Sequence, residues 1–129
     1  MPATSSYDYA IIRVVPLVER GECMNIGVVV FCRTQRFLDM LIHFDEQRLR
    51  AFAPTLDSGF VRQQVEALVQ VCRGGDGSGP IGELAQAERF HWLVSPRSTV
   101  IQVSPVHCGM CGNPASTLQS LLQKLVSTP

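Results

Sequence analysis

The amino-acid sequence predicts an α+β domain, in which helices pack on one face of an antiparallel sheet of about four strands. Three segments rich in Ile, Val, Leu and Phe lie within the first 44 residues and are separated by short turns. Parallel strands need long crossover connections, so short turns indicate an antiparallel meander. The rest of the chain spaces its apolar residues mainly as amphipathic helices do. A length of 129 residues suffices for one hydrophobic core, and we predict a single two-layer domain spanning residues 1–129.

The N-terminal meander is predicted from its side chains and its turns. The first strand ends at Pro16, which has no N–H to donate to a ladder. Gly21 lies in the first turn and permits a positive φ there, and the second turn is polar. We predict strands at residues 7–16, 25–32 and 37–44.

Helical spacing and end signals predict the remaining elements. Asp57 or Ser58 caps a long helix, and a glycine-rich linker follows it. The last helix has Asn113 as its cap and Pro114 at its first position. The predicted elements are helices at residues 45–52, 58–73 and 83–93, a fourth strand at 98–103, and a closing helix from 114 to 125.

Alternation along the strands sorts their side chains onto two faces. One face is uniformly apolar and is expected to meet the helices; it carries Ile26, Val28, Val30, Cys32, Leu38, Met40, Ile42 and Phe44. The opposite face is mixed; it carries Tyr9, Arg13, Asn25, Asp39 and His43 among Ile11, Val29, Phe31 and Leu41. We expect this mixed face to meet a protein partner or a second copy of the chain, with Phe31 as an anchor and Arg13 and Asp39 as its polar part. The alternative is that the closing helix covers it.

Asn25 and Gly27, at the start of the second strand, have two interpretations. Gly27 leaves room for a neighbouring group, which is either part of the core or a bound partner. The Asn25 side chain either satisfies backbone amides of the turn or lines a site.

Composition argues against several classes of function. The 11 basic and 11 acidic residues cancel, so no charge excess points to nucleic acid or a membrane. No run approaches the ~20 apolar residues of a membrane span, and the polar N-terminus predicts no secretory signal. Five cysteines, an odd number, predict reduced thiols and a cytoplasmic location. The charged fraction of 17% is below the ~25% usual for a soluble domain, so we expect exposed apolar surface.

Cys108 and Cys111 form a Cys-x-x-Cys motif, which is half of a zinc site. No second pair follows, and the thiols precede the closing helix instead of lying in its first turn, where the helix dipole would activate them. We predict an incidental loop pair with no metal and no cofactor. His43, with Asp39 on the same strand face, is predicted to be a surface or hydrogen-bonded histidine in preference to a catalytic base.

The chain resembles a bacterial family known as domain of unknown function number 3037. The resemblance is carried by "YDYAIIRVVP", "ERGECMNIGVVVFC", "ERFHWLVSPRSTVIQVSPVHCG" and "NPASTLQSLLQKLV". The family's pattern falls on Arg13, Pro16, Glu22, Asn25, Gly27, Arg97 and His107. The pattern has a threonine where this chain has Cys108, which argues further against a shared Cys-x-x-Cys function.

The resemblance implies an accessory or antitoxin-like protein encoded beside HipA-like serine/threonine kinases. The predicted function is therefore a non-enzymatic domain that binds a protein partner, with such a kinase or a second copy as the partner. The binding residues are predicted to be Arg13, Asn25, Gly27, Phe31 and Asp39. The alternative is a small hydrolase or nucleotide-acting enzyme whose catalytic candidates are Glu22, Asn25, Arg97 and His107.

Overall fold

The computed structural model describes residues 4–97 and 99–127. Its strands are Ser5–Val14 (β1), Met24–Cys32 (β2), Phe37–Ile42 (β3), Ile101–Val103 (β4) and His107–Cys111 (β5). Its helices are Glu46–Phe52 (α1), Ser58–Arg73 (α2), Gly79–Gly82 (α3), Gln86–Leu93 (α4) and Pro114–Leu125 (α5), with one 3-10 turn at Val18–Arg20. The α+β class is confirmed. Within the described ranges, every helix is too short or too polar to cross a lipid bilayer.

The sheet is antiparallel, with the order β3-β2-β1-β4, and β5 also pairs with β1. β4 and β5 therefore lie end to end along the same side of β1. Between them, the buried Ser104 donates its N–H to Ile11 O (2.8 Å) and accepts the Ile11 N–H at its Oγ (2.8 Å). These bonds continue the ladder up to Pro105, which has no N–H of its own. The predicted start of the fourth strand, Ser98, lies outside the described residues.

A β-bulge at Ile26 reverses the alternation of β2. Ile12 pairs with Gly27 and Arg13 pairs with Asn25, so Ile26 has no partner on β1. Beyond the bulge, Val29 and Phe31 belong to the core that the first four helices cover. The prediction that put both residues on the mixed face was wrong, because one extra residue moves every later side chain to the other face.

Helices cover both faces of the sheet. The larger core packs β-sheet residues such as Met40 against α1, α2 and α4. The smaller core packs Leu118 and Val126, from α5 and its end, against Val28 and Val30 of β2. The protein therefore has three layers, and the predicted two-layer arrangement was wrong.

The alternative, in which the closing helix covers the mixed face, is confirmed for Tyr9, Asn25 and Leu41. On β2 the same helix also covers Val28 and Val30, which were predicted for the apolar face.

Two predicted helix caps are present. The Asp57 carboxylate accepts hydrogen bonds from Gly59 N (2.9 Å) and Phe60 N (3.3 Å) at the start of α2. Asn113 Oδ1 accepts from the N–H groups of Ala115 (3.0 Å) and Ser116 (3.3 Å) at the start of α5. These bonds satisfy amides that a helix leaves unpaired in its first turn.

Candidate functional site

Two of the four predicted catalytic residues, Glu22 and Arg97, are engaged in separate local contacts. Glu22 is exposed and forms an ion pair with Arg20. The Arg97 guanidinium lies 4.6 Å from the centre of the Trp92 ring and donates to Leu93 O (2.7 Å) and Trp92 O (3.0 Å). Burial lowers the pKa of Arg97. These bonds close the end of α4, so they give Arg97 a structural role.

The other two, Asn25 and His107, lie far apart on the sheet. Asn25 pairs with Arg13 on one side of β1, and His107 pairs with Tyr9 on the other side. Four residues of a strand span roughly 13 Å, so no side chains bridge the two positions by direct hydrogen bonds. The four candidates therefore do not form one catalytic site.

The structure supplies a physical role for Asn25 and Gly27. Asn25 Nδ2 donates to Leu125 O (3.0 Å), and Arg48 Nη1 donates to Val126 O (3.1 Å), so two side chains satisfy carbonyls at the end of α5. A Cβ at Gly27 would overlap Ile42 Cδ1 and lie 2.8 Å from Leu41 O. Gly27 thus lets β3 approach the bulged strand closely.

The other predicted binding residues lie in different environments. Phe31 is only 7% exposed and its ring lies 5.1 Å from that of Phe90, so it is a core residue and not a surface anchor. Arg13 is half-buried on β1 beside Asn25, with its Nε unpaired among the described residues. Asp39 lies on β3, at the edge of the sheet.

Asp39 blocks the centre of that edge. His43 N donates to Ile26 O (2.8 Å), so by alternation the Met40 N–H points away from the sheet. The Asp39 carboxylate accepts this outward N–H (2.8 Å) and also contacts Arg73 Nε (3.5 Å). An occupied donor and a charged pair at mid-strand are a common protection against pairing with another chain.

In the part of the chain that the structure describes, the opposite edge, formed by β5, has no such protection. Ile11 N points toward β4 and β5, so by alternation His107, Gly109 and Cys111 exchange hydrogen bonds with β1. The backbone N–H and C=O groups of Cys108 and Met110 therefore point outward. Across residues 4–97 and 99–127, no strand pairs with this outer side of β5.

Apolar side chains accompany the open backbone groups. Met110 is 65% exposed, Val106 is 44% exposed, and Cys108 is also exposed. Cys108 and Met110 alternate along β5, so their side chains lie on one face of the strand, and Val106 lies two residues before Cys108, next to the start of β5. We call the outward backbone groups of Cys108 and Met110, with the side chains of Val106, Cys108 and Met110, the β5 edge.

An aromatic row holds β5 in place on the α5 face of the sheet. Tyr7 and Tyr9 stack at 6.0 Å between ring centres, and Tyr9 lies 5.2 Å from the His107 ring. Tyr7 lies over Gly109, where a Cβ would come within 2.9 Å of the ring. Burial, with a smaller contribution from Tyr9, raises the pKa of Tyr7. β5 is thus well anchored on its inner side and free on its outer side.

Residues 9–126 match the family described as Protein of unknown function (DUF3037). The chain belongs to this family. The match agrees with the resemblance carried by the two N-terminal and two C-terminal segments. No curated protein and no solved structure matches the chain.

The Cys-x-x-Cys motif of this DUF3037 protein lies on β5 and not in a loop as predicted. Cys111 is buried near Cys32 and Thr117, whereas Cys108 is exposed at the β5 edge. Residues three apart on a strand point to opposite faces, so the two thiols do not converge on one ion. Burial raises the pKa of Cys111. Among the described residues, no three His, Cys, Asp or Glu side chains are grouped to hold a metal.

The β5 edge was missed from the sequence because turn formers surround it. Cys108 and Cys111 precede the closing helix, whose start is marked by Asn113 and Pro114, and the segment was therefore assigned to a loop. Pro105, Gly109 and Gly112 are residues that also favour turns. The signal that identifies the strand is the alternation of apolar Val106, Cys108 and Met110 with small or polar neighbours.

Proposed function

We propose that this DUF3037 protein is a protein-binding domain that accepts an extended strand from a partner at the β5 edge. The observation that carries the proposal is the contrast between the two edges of the sheet. On β3 the outward donor of Met40 is occupied by Asp39. On β5 the outward groups of Cys108 and Met110 have no strand partner within residues 4–97 and 99–127, and an added strand would pair with them through main-chain hydrogen bonds.

The side chains of the β5 edge indicate the chemistry of the partner segment. Val106 and Met110 expose apolar surface on one face of the strand. A partner strand with apolar residues at alternate positions would cover that surface, and its backbone would supply the affinity. The β5 edge carries no charge on its outward residues, so an uncharged or weakly charged segment fits best.

An accessory role is favoured over catalysis. Glu22, Asn25, Arg97 and His107 are held in separate contacts, which removes the support for the hydrolase alternative. The family resemblance makes a HipA-like kinase the hetero-partner to test first, in an antitoxin-like setting. Five free thiols accord with a cytoplasmic location.

A pair of variants at one position tests the proposal. Met110→Pro removes an outward N–H and leaves the β1 ladder intact, whereas Met110→Thr keeps the N–H and removes only the apolar side chain. Binding to a HipA-like serine/threonine kinase is measured by calorimetry, with circular dichroism to show that both variants fold. We expect Met110→Pro to abolish binding and Met110→Thr to weaken it by less than tenfold. Wild-type affinity in folded Met110→Pro would overturn the proposal, as would no binding by the wild-type chain.

A further inference from the structure

We infer that the β5 edge also pairs with the β5 edge of a second copy of this chain, antiparallel and about a two-fold axis at Cys108. The inference rests on the proposed function, because it names one occupant of the same edge. In this arrangement the two-fold axis fixes which residue of the second copy lies opposite each residue of β5.

Hydrogen-bond direction restricts the possible registers. Within β5, Cys108 and Met110 direct their backbone groups outward, so these residues must meet outward-directed residues of the second copy across the new pair. A two-fold axis pairs residue i with residue j at a constant sum of i and j. The outward-directed residues Cys108 and Met110 have even numbers, so they meet outward-directed residues of the second copy only when this sum is even. Few registers satisfy this condition.

Side-chain complementarity selects one of them. With the axis at Cys108, Val106 faces Met110 of the second copy, and His107 faces Gly109 of the second copy. Two exposed apolar side chains of the β5 edge then cover each other, and the His107 ring lies opposite a residue with no side chain. With the axis at Gly109, Val106 instead faces Gly112 of the second copy and stays exposed.

The selected register brings the two Cys108 thiols together. Residues of a hydrogen-bonded antiparallel pair have Cα atoms about 5.5 Å apart, which lies within the roughly 4.4–6.8 Å that a disulfide spans. Cys108 is exposed, so an added oxidant reaches it. Cys23 is also exposed but lies before β2, away from the β5 edge.

Cross-linking with diamide tests the register. Two Cys108 thiols would lose two protons and two electrons to diamide, which is reduced to its hydrazine, and one intermolecular disulfide forms. The full-length chain is oxidised at several concentrations and separated without reductant, alongside Cys108→Ser, Cys23→Ser and Met110→Pro. Light scattering before oxidation measures self-association.

We expect a covalent dimer from the wild-type chain and from Cys23→Ser, with at least a tenfold loss in Cys108→Ser and in Met110→Pro. Failure of the wild-type chain to form a disulfide-linked dimer, or a disulfide-linked dimer that persists in Cys108→Ser, overturns the inference. This result is independent of the kinase experiment. If Met110→Pro loses kinase binding but the wild-type chain does not cross-link, the proposed function stands and pairing with a second copy is rejected. If the wild-type chain cross-links but Met110→Pro binds the kinase normally, pairing with a second copy stands and strand addition by the kinase is rejected.

Discussion

The side-chain amide of Asn25, on β2, donates a 3.0 Å hydrogen bond to the backbone carbonyl of Leu125, at the last residue of α5. This bond joins the N-terminal meander to the closing helix across 100 positions of sequence. Asn25 is the neighbour of Ile26, the bulge residue that reverses the alternation of β2. The two adjacent residues thus set which face of β2 meets α5 and hold the end of α5 in place. Asn25 is therefore explained by the architecture and not by catalysis.

Replacing Asn25 by Ala is expected to destabilise the protein. The change leaves the half-buried Leu125 carbonyl without its partner, which costs about 1–3 kcal/mol of unfolding free energy. Urea unfolding followed by circular dichroism measures the change. The control is Gln123→Ala, an exposed residue of α5 for which we expect a change within about 0.5 kcal/mol. Equal stability of the two variants would show that Asn25 does not hold α5.

Replacing Gly27 by Val is expected to destabilise the protein through overpacking. Its Cβ would overlap Ile42 and approach the backbone oxygen of Leu41, and forced displacement of this kind costs about 1–3 kcal/mol or more. The matched control is Gly112→Val, because among the described residues no atom lies within 4 Å of a Cβ placed at Gly112. Thermal unfolding of both variants checks the difference. A Gly27→Val protein as stable as Gly112→Val would contradict the close approach of β3.

Replacing the two cysteines of the Cys-x-x-Cys motif is expected to change the free energy of unfolding by different amounts. Cys108→Ser lies at an exposed site, so the free energy of unfolding should change by less than about 0.5 kcal/mol. Cys111→Ser places a hydroxyl at a buried position beside Cys32, with an expected cost of about 1–3 kcal/mol. Denaturant unfolding at low protein concentration isolates the effect on the monomer. Equal costs for the two changes would argue against placing them on opposite faces of β5.

Cys72 is expected to make stability fall at alkaline pH. Burial, with a smaller contribution from Asp39, raises the pKa of its thiol from 9.0 to about 12. Between those values the folded state keeps a proton that the unfolded state loses, so the free energy of unfolding decreases as pH rises from about 9 to about 12. Cys72→Ala is expected to be less stable than the wild type, and the difference between their free energies of unfolding should shrink over this pH range. A difference in the free energy of unfolding that stays constant from pH 8 to pH 11 would contradict the raised pKa of Cys72.

The parts of the fold with local sequence signals were predictable. The cap at Asn113 with Pro114 after it located α5, and Asp57 located α2. The bulge at Ile26 was missed, because the alternation argument assumed an unbroken register. The signal was Gly27, since a glycine inside a strand often marks a bulge or a close approach. The faces of β2 beyond that point were consequently assigned the wrong way round.

The candidate site was hidden for a different reason. The residues that the sequence analysis selected, such as Arg97 and His107, have polar side chains that stabilise the structure around them. The β5 edge is made of backbone groups, whose outward direction depends on pairing with β1 and is invisible in the side-chain sequence. Only the alternation of Val106, Cys108 and Met110 pointed to it.

Amide hydrogen exchange by NMR tests the open β5 edge most directly. In the dilute free chain, we expect the outward amides of Cys108 and Met110 to exchange rapidly and the inward amide of Gly109 slowly. In the assembled state, reached by raising the chain concentration or by adding the kinase, the two outward amides should slow by at least tenfold while Gly109 changes little. Outward amides that are already as protected as Gly109 in the dilute chain, or that keep their rates in the assembled state, would contradict strand addition at β5.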